Sequence, residues 1–490
     1  MKKVIIIGAG PGGLAAGMIL SAKGYKVHIY EKDACVGGRM QPLKLKDHTF
    51  DTGPTFLMEP GTLTHLFELA NETLSDHIET VPLDPLYEFI FKDKNFKPTT
   101  DQDKMRKEME RVFPAHVVDY FDFLERQDQK HQKLKPLWRS SFSSVFTYFH
   151  PLVFRSLFYR DTRSSVFKRL KKRFTDEDLV HAMSFQTKYL GMSPFKAPGM
   201  FTILSYLEFS KGLFHVKGGL HQIPLAMKQI IEKNGGKIFL NKPVKRLIIR
   251  KKKAYGVAFE DDTVDTAKII INDTDFSYFA KNLIPKKHQR TYTNRHVNKL
   301  KHSLGVFVIY LALDKTYNLE HHTMLFADNP TQSIKTITEQ NNLPFDLTIY
   351  IHNPSKLDKT LTKEKNHSVL TISVAVPNTT ADIDWNTAKN AFRKEIITRI
   401  QDKTHINDLE DHIIEEKIIT PTEWEKNFNL HHGAAFGLAH TKNQVLHKRP
   451  NNRYKDLKHV YLVGAGTHPG GGLMSVFQSA ILTTKKITNT

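Results

Sequence analysis

The distribution of apolar residues predicts a buried strand and a following helix at the start of the chain. Residues Val4 to Ile7 form an unbroken apolar run, and small and apolar residues follow with helical character over 12–22. Such a run is typical of a parallel strand covered on both faces, because neither face then meets water. A second apolar strand is predicted at 25–30 and leads to Glu31. The pattern is therefore that of an α/β fold.

A similar pattern recurs close to the other end of the sequence. An apolar strand is predicted at 459–463, and a glycine-rich loop, 464–472, leads from it into a helix. Between the two ends, the apolar stretches 305–313 and 368–376 predict strands of a mixed or antiparallel sheet. Residues 388–400 have the spacing of an amphipathic helix that covers this sheet.

Length and cysteine content limit the architecture and the compartment. A chain of 490 residues exceeds what one hydrophobic core usually organises, so we expect two domains or one domain with a second inserted. Cys35 is the single cysteine, which excludes an internal disulfide, argues against a thiolate metal cluster and points to a reducing compartment. The first apolar run is too short for a signal peptide, and no window reaches the roughly 18 to 20 apolar residues of a spanning helix. We expect a cytoplasmic protein that does not cross a membrane.

The first glycine-rich turn carries the first chemical signal. Gly8, Gly10 and Gly13 form a GxGxxG motif between the predicted strand and helix. The first glycine permits the tight turn, the second lets backbone approach a pyrophosphate, and the third permits close helix packing. The helix N-terminus offers unpaired N–H groups to the phosphates, and Glu31 is placed to accept hydrogen bonds from ribose hydroxyls. These features together predict dinucleotide binding.

The residues after Glu31 favour FAD over NAD. Gly37-Gly38-Arg39-Met40 follow at once, and a short predicted hairpin leads to Phe50-Asp51-Thr52-Gly53-Pro54. An NAD domain has no need of this extension. FAD is longer, and a further glycine turn with an arginine suits its flavin-side phosphate and ribityl chain.

These motifs in this order resemble a known superfamily. GAGPGG, Glu31, GGRM and DTGP resemble the FAD-containing amine oxidases and carotenoid desaturases, and VGAGTHPGGG is similar to the C-terminal signature of bacterial phytoene and diapophytoene desaturases. Residues 185–227 resemble the family's middle segment, and TPTEWEKNF and HHGAAFGL, within 420–438, its approach to the C-terminus. The resemblance thus touches both ends and the centre of the chain, and is weakest over about 90–180 and 280–410.

The resemblance implies a discontinuous domain plan. A Rossmann-like FAD-binding domain comprises 1–85, 213–278 and 456–490; an inserted α+β substrate domain comprises 86–212, with a helical membrane-facing cap, and 279–455, with the mixed sheet. The motifs and the resemblance together imply that FAD contacts Gly8, Gly10, Pro11, Gly12, Gly13, Glu31, Lys32, Gly38, Arg39, Met40, Gly53, Pro54, Thr55, Val244, Asp275, Gly464, Ala465, Gly466, Gly471, Gly472, Leu473 and Met474. Val244 is the position expected beside the adenine.

The resemblance also implies a reaction and a substrate class. A linear C40 or C30 carotenoid precursor, such as phytoene or dehydrosqualene, would lose a hydride to the flavin and a proton, which extends its conjugation. The protein would orient the hydrocarbon in an apolar tunnel and exclude water. No catalytic base is identified; His468, beside the glycine loop, is a candidate for a chemical role. The adjacent pairs His321-His322 and His431-His432 are expected to point apart, so no metal site is predicted.

Residues 130–175 mix basic residues with aromatic ones. The aromatic residues are Trp138, Phe142, Phe146, Tyr148, Phe149, Phe154, Phe158, Tyr159 and Phe167, in a chain whose 71 Lys and Arg against 51 Asp and Glu give a formal net charge of +20. One interpretation is a helical cap over the substrate tunnel with a solvated charged face; another is a cap that also docks on an anionic membrane surface. Interleaved basic and aromatic residues also suit single-stranded nucleic acid, but the flavin motifs argue against it.

Other activities remain open at this point. A carotenoid oxygenase, ketolase or isomerase would carry the same motifs, and THPGGGLM departs from the THPGAGxP form of many desaturases. Rab GDP-dissociation inhibitors share the fold and carry prenyl lipids without catalysis, but they lack a working flavin site, whereas the glycines, Glu31 and Arg39 are all intact here. An amine oxidase would surround the flavin with aromatic side chains, which GTHPGGG does not offer. The oligomeric state cannot be inferred.

Overall fold

The computed structural model describes residues 2–142, 145–158, 161 and 163–489. The strands are β1 Lys3–Ile7, β2 Lys26–Tyr30, β3 Pro42–Leu45, β4 His48–Asp51, β5 Leu57–Met58, β6 Thr80–Pro82, β7 Glu88–Ile90, β8 Asn95–Phe96, β9 Leu213–Val216, β10 Lys237–Phe239, β11 Val244–Arg250, β12 Lys253–Phe259, β13 Val264–Thr266, β14 Ile269–Asn272, β15 Gly305–Leu313, β16 His322–Leu325, β17 Ile349–His352, β18 Ser368–Val376, β19 Ile413–Ile419 and β20 Val460–Leu462. The α-helices are α1 Pro11–Ala22, α2 Gly61–Glu68, α3 Gln102–Val112, α4 Val117–Arg139, α5 Pro151–Leu157, α6 Val166–Lys171, α7 Glu177–Ala182, α8 Ile203–Lys211, α9 Gln222–Lys233, α10 Phe276–Tyr278, α11 Asn294–Lys299, α12 Pro330–Thr338, α13 Trp385–Thr404, α14 Pro421–Phe428 and α15 Leu473–Thr488.

A five-stranded parallel sheet brings together distant parts of the chain. Its strand order is β10-β2-β1-β14-β20, so β20 rejoins the sheet that β1 begins, in agreement with the discontinuous domain plan that the resemblance implies. Ile6 faces a core formed with α1, α9 and α15, whereas Ile5 faces a second core shared with β11 and β12. The unbroken apolar run of β1 is explained because each face of the sheet is covered.

A second, seven-stranded sheet forms the other half of the molecule. Its order is β19-β15-β18-β17-β16-β7-β8, and its strand pairs are antiparallel except β16 with β7. The strands predicted at 305–313 and 368–376 coincide with β15 and β18 and pair along their whole length. The predicted helix at 388–400 lies within α13, whose Phe392, Ile396 and Ile400 pack on the sheet. These three predictions are confirmed.

Pairings across the predicted segments explain how the halves are joined. β7 and β8, from 86–212, belong to the same sheet as the strands of 279–455. β9, which begins the segment 213–278, pairs with β5 and β6 of the N-terminal segment. The cap helices and the seven-stranded sheet therefore form one unit, while the exact segment boundaries stay a prediction.

The aromatic residues of 130–175 fall into different environments. Phe142 and Phe167 are buried in two different core clusters, and Trp138 packs partly buried against the cluster that contains Phe167. Phe146, Phe149, Phe154 and Phe158 are instead 51–76% exposed; we call these four the aromatic patch. Tyr148 is half-buried, and Tyr159 lies outside the described residues. Among the described helices, none combines the length and the apolar character needed to cross a bilayer.

Candidate active site

A single cavity of about 610 Å³ extends from the glycine turns of the parallel sheet to the seven-stranded sheet and the cap. Its lining includes most of the predicted cofactor residues, namely Gly8, Gly10, Pro11, Glu31, Lys32, Gly38, Arg39, Met40, Gly53, Pro54, Thr55, Val244, Asp275, Gly464, Ala465, Gly466, Gly471, Gly472, Leu473 and Met474. Gly12 and Gly13 are not in the lining, and neither is His468. The fold thus brings motifs from the two ends and the middle of the chain to one place.

The first glycine turn is shaped by backbone contacts that leave no room for side chains. A Cβ on Gly13 would lie 2.4 Å from the carbonyl oxygen of Gly8, so α1 packs directly against the turn. A Cβ on Gly10 would lie 2.6 Å from Oδ2 of Asp273. α1 begins after Gly10 with neither a side-chain cap nor an acidic residue in its first turn. An uncapped helix start that faces a cavity suits a phosphate group, because its free N–H groups and positive dipole end favour an anion.

Glu31 lies at the carboxyl end of β2 and is nearly buried. Its Oε2 accepts a hydrogen bond from Ala9 N–H at 2.7 Å, and its Oε1 accepts one from Asp33 N–H at 3.0 Å. Burial raises the pKa of Glu31, and the two backbone donors oppose that shift. The carboxylate therefore fixes the glycine turn and still has lone pairs for a ribose hydroxyl.

Asp273, which was not among the residues predicted from the sequence although its neighbour Asp275 was, lies at the centre of the cofactor end. It follows β14 and packs against Gly10, Gly12 and Gly464, so its carboxyl group joins the two glycine turns. Burial raises its pKa to about 7, against the lowering effect of the Gly13 backbone and of Arg39. Its position directly after a buried parallel strand was the available signal.

The GGRM and DTGP segments interlock around Arg39. Nη1 of Arg39 donates a hydrogen bond to the carbonyl oxygen of Ala435 at 2.5 Å. Burial lowers the pKa of the guanidinium, while Asp275 and Asp273 favour its charged form. A Cβ on Gly53 would lie 2.6 Å from the Arg39 carbonyl oxygen, which explains the glycine. The cation faces the cavity between the two glycine turns.

The C-terminal glycine loop meets His440, a residue that no motif identified. Gly471 N–H donates to Nε2 of His440 at 3.0 Å, and a Cβ on Gly470 would lie 2.1 Å from the same nitrogen. Because Nε2 accepts, the neutral ring carries its hydrogen on Nδ1. The loop ends at α15, which has no side-chain cap and no acidic residue in its first turn. A second helix start thus opens on the cavity.

Arg449 stabilises the conformation of this loop through hydrogen bonds to its carbonyl oxygens. It is 1% exposed, and its guanidinium donates to the carbonyl oxygens of Ala465 at 2.7 Å and Thr467 at 3.2 Å. It also donates to the carbonyl oxygen of Leu438, at 3.0 Å. Burial lowers the pKa of Arg449 to about 9. The cation therefore links the glycine loop to the segment that contains Leu438.

His468 does not face the cavity. Its ring is buried against Phe142, and its Nε2 lies 3.0 Å from the carbonyl oxygen of Ser140. Burial lowers the pKa of this histidine to about 4. The geometry gives His468 a packing contact between the loop and the cap, and we assign it no part in the chemistry proposed below.

The expectation that adjacent histidines point apart is wrong. The rings of His431 and His432 lie 4.0 Å apart between centroids, and those of His321 and His322 lie 4.4 Å apart. His432 has φ +61°, a left-handed conformation that turns its side chain back over its neighbour. Side-chain alternation holds only for extended backbone.

The far half of the cavity is an apolar chamber. It is lined by Met200, Phe201, Leu204, Leu207, Leu304, Val306, Val308, Met324 and Ala375. Tyr350 adds a hydroxyl that lies 2.5 Å from Oγ1 of Thr55. Lys188 also lines the chamber, where burial lowers its pKa to about 8, and no described residue lies within hydrogen-bond distance of its Nζ. Lys188 was missed because nothing local distinguishes it from other lysines.

The cofactor end fits FAD. It offers two uncapped helix starts, a carboxylate at the ribose position and a cation between them. At Gly10, Gly13, Gly53 and Gly470 a Cβ would collide with the Asp273 side chain, with backbone or with His440. Gly8, Gly10, Glu31, Arg39 and the 464–474 loop would hold the cofactor from the adenosine to the flavin end.

Comparison with known proteins agrees with this geometry. Residues 11–488 match the family of flavin-containing amine oxidoreductases. A 4,4'-diapophytoene desaturase (4,4'-diapolycopene-forming) of Methylomonas sp is 38% identical over 99% of this chain and 95% of its own. An all-trans-zeta-carotene desaturase of Myxococcus xanthus is 29% identical over 100% of this chain and 93% of its own.

Solved structures show the same fold. An oxidoreductase from Methanosarcina mazei superposes with a TM-score of 0.67 at 17% identity, covering 99% of this chain and 100% of its own. RAB GDI from Plasmodium falciparum is more distant, with a TM-score of 0.53 at 14% identity over 100% of this chain and 98% of its own. On the extent of the family match and the identity to the Methylomonas protein, the chain belongs to the flavin-containing amine oxidoreductase family and is an FAD-dependent oxidoreductase of its carotenoid desaturase branch.

Proposed function

We propose that this protein desaturates a linear carotenoid precursor in an FAD-dependent reaction, with the C30 hydrocarbon 4,4'-diapophytoene as its first substrate. The observation that carries the proposal is the single cavity that joins the FAD cradle to an apolar chamber. The name and 38% identity of the Methylomonas relative support the C30 chain. A C40 precursor is the alternative, supported by the name of the Myxococcus relative, a zeta-carotene desaturase.

Desaturation removes a hydride and a proton from neighbouring carbons and leaves a new double bond. FAD, when bound, supplies the hydride acceptor. The chain contributes the N–H groups of the first turn of α15, whose positive dipole end favours negative charge at the cofactor. The apolar chamber excludes water and holds the hydrocarbon in line with that site.

Lys188 is the proton acceptor we propose. Lys188 lines the chamber and has no carboxylate partner among the described residues, and its pKa of about 8 makes a neutral amine accessible. A neutral amine accepts a proton at Nζ, whereas an ammonium would repel positive charge developing on the hydrocarbon. The lone pair is therefore available as pH rises through about 8.

The chamber does not suit an amine. The lining carboxylates lie at the cofactor turns, except Glu59, which faces the cations Lys135 and Arg139. A protonated amine substrate would meet Lys188 and apolar side chains instead of an anion. A non-catalytic lipid carrier would not need the glycine cradle, so a yellow purified protein argues against that alternative.

We propose that the aromatic patch docks on an anionic membrane surface, from which the substrate enters. Phe146, Phe149 and Phe158 are each at least 74% exposed, and Arg155 between them is exposed as well. The buried side of this segment, Phe142 and Val153, packs with Leu207 and Leu446, which are also connected to the cavity wall. The patch therefore adjoins the apolar end of the cavity.

The basic residues that follow the patch are less suited to this role. Arg169 pairs with Asp161 at 2.6 Å, Lys171 pairs with Glu177, and Arg173 pairs with Asp122. Their charges are already compensated within the protein. The exposed rings, rather than these cations, are the residues that test docking.

The experiment is expression in bacteria that accumulate either 4,4'-diapophytoene or phytoene, followed by chromatography with absorbance and mass detection. We expect loss of hydrogen pairs and a red-shifted spectrum in the first host. Gly10→Val, which blocks the cradle, is the inactive control. Oxygen added to an already coloured carotenoid, without desaturation of either precursor, would identify the protein as an oxygenase. A product with an unchanged number of hydrogens but altered double-bond geometry would identify it as an isomerase.

A further inference from the structure

A cluster of buried histidines lies between the three-stranded sheet β5-β9-β6 and the seven-stranded sheet, outside the cavity lining. His215 lies in β9, His321 directly precedes β16, and His352 ends β17. These side chains are 2%, 3% and 0% exposed. More than a hundred residues separate the first from the second, so the cluster exists only in the folded chain.

The ring nitrogens of these histidines converge. Each residue offers one nitrogen, and the three nitrogens all lie within 4.8 Å of one another. Nε2 of His321 and both nitrogens of His352 have no hydrogen-bond partner in the described structure. A buried polar atom without a partner is unfavourable, and several in one place call for a common ligand.

The partners that these rings do have leave lone pairs free. Nε2 of His215 donates to Oδ2 of Asp358 at 2.9 Å, so its Nδ1 carries the lone pair. Nδ1 of His321 lies 3.2 Å from Nε2 of His322, which leaves Nε2 of His321 available.

We propose that His215, His321 and His352 bind a divalent transition metal ion, with Zn²⁺ as the expected occupant. Imidazole nitrogens suit Zn²⁺, whereas Mg²⁺ and Ca²⁺ prefer oxygen ligands. Small side-chain rotations bring nitrogens at these separations to the roughly 2.0–2.1 Å of a Zn–N bond. A water molecule takes the fourth tetrahedral position.

Asp358 completes the site as a positioning residue. A carboxylate that accepts from the second nitrogen of a metal-bound histidine orients the ring and raises its basicity. Asp358 is itself fixed, because its Oδ2 also accepts from Gly218 N–H at 2.6 Å. Its negative charge offsets part of the charge of a buried divalent ion.

The ion would join the sheet of β5, β9 and β6 to the seven-stranded sheet. His322, next to the site, lies 2.8 Å from the hydroxyl of Tyr350, which lines the chamber. A metal here would therefore brace the wall of the substrate chamber without contacting the substrate. We assign it a structural role.

Another group, Glu425 with His431 and His432, also has donor atoms within 4.8 Å of one another, but it is half-buried. Its glutamate already accepts hydrogen bonds from Thr379 and from His432 N–H. Those partners satisfy the carboxylate, so this group serves as the control.

The test measures metal content in the full-length flavoprotein, purified without a histidine tag and dialysed against metal-free buffer. Elemental analysis is expected to give close to one zinc per chain. His352→Gln and His321→Gln are expected to lower this to less than about a tenth, while His432→Gln leaves it unchanged. His48→Gln, which alters a buried histidine outside the cluster, should also leave it unchanged.

Flavin content shows whether each histidine variant folds. If these variants do not fold, Co²⁺ binding by the native protein and the milder substitution Asp358→Asn test the proposal. Co²⁺ added to metal-free protein should give the visible bands of a tetrahedral nitrogen site and raise the melting temperature. Asp358→Asn should weaken zinc binding about 10- to 100-fold. The proposal is overturned if the native protein lacks zinc and binds no Co²⁺, if His352→Gln folds and keeps its zinc, or if Asp358→Asn binds zinc unchanged.

Discussion

The two ends of the cavity are built by different means. The cofactor end is made of backbone: Gly10, Gly13 and Gly470 stand where a Cβ would lie between 2.1 and 2.6 Å from a neighbouring atom. The chamber end is made of side chains from the cap helices and from strands β15, β16 and β18. A position where only glycine fits tolerates no substitution. In the chamber many side chains form the lining, so the replacement of one of them has a smaller effect.

This difference explains why the cofactor end carries recognisable sequence motifs and the chamber does not. A steric requirement for glycine leaves a motif in the sequence. An apolar lining leaves only composition, because several residues of similar volume satisfy it. Substitutions should accordingly have all-or-none effects at the cofactor end and graded effects in the chamber and on the patch.

Gly10→Val should have the largest effect. Its side chain would collide with Asp273 and block the phosphate site, so we expect at least a hundredfold loss of bound flavin, measured as absorbance at about 450 nm per chain. Gly61→Ala is the matched control, since a Cβ at Gly61 meets nothing within 4 Å. Full flavin content in Gly10→Val would contradict the assignment of this turn.

Lys188→Met should lower the desaturation rate about a hundredfold while flavin content stays normal, because the proton acceptor is lost. In the native protein the rate should rise with pH through about 8, as the ammonium form gives way to the amine. The variant should lose this dependence. Lys196→Met, an exposed lysine in the same part of the cap, should behave as the native protein. An unchanged pH profile in Lys188→Met would remove Lys188 from the mechanism.

Arg449→Met should weaken flavin binding about tenfold or more, measured by the flavin dissociation constant and the melting temperature. The substitution keeps much of the volume but leaves the loop carbonyls without donors, each at a cost of roughly 1–3 kcal/mol. Lys448→Met, on the exposed neighbour, should have no effect. Equal flavin affinity in the two variants would show that the loop holds its shape without Arg449.

Replacing the four phenylalanines of the aromatic patch by serine should reduce sedimentation with anionic liposomes about tenfold. The rings would no longer reach the acyl boundary. Phe345→Ser is the control, because Phe345 is 95% exposed but lies far along the chain from the patch. Turnover of substrate dissolved in detergent should be unaffected. Liposome binding equal to that of the native protein would indicate that the segment only caps the substrate tunnel and does not dock on the membrane.

Asp273→Asn should have the smallest effect. An ionised carboxylate beside the phosphate site opposes a bound pyrophosphate, so FAD affinity should fall several-fold as pH rises through about 7. The amide cannot ionise, and the variant should show a nearly constant affinity from pH 6 to 8. A native affinity that does not change over this range would place the carboxyl away from the phosphates.

The sequence predicted those features that local physics determines. The apolar run of β1 and the strands β15 and β18 were identifiable because their burial leaves a continuous apolar pattern. The glycine turns were identifiable because their spacing follows from steric contact. In each case, the cause and the signal lie within a few residues of each other.

The missed residues share the opposite property. Lys188 and His440 acquire their roles from elements far away in the chain, so nothing near them in the sequence marks them. His468 was chosen for its place beside a glycine loop, but side-chain direction depends on the loop's conformation. His215, His321 and His352 meet only after two sheets pack together.

The central claim is that a hydrocarbon in the chamber delivers its hydride directly to FAD in the cradle. The most direct measurement is anaerobic mixing of the purified flavoprotein with 4,4'-diapophytoene in liposomes, followed by absorbance and product analysis. The account predicts bleaching of the oxidised flavin band together with one new double bond per flavin reduced. Neither bleaching nor product with the C30 or the C40 precursor, or product without flavin reduction, would contradict it.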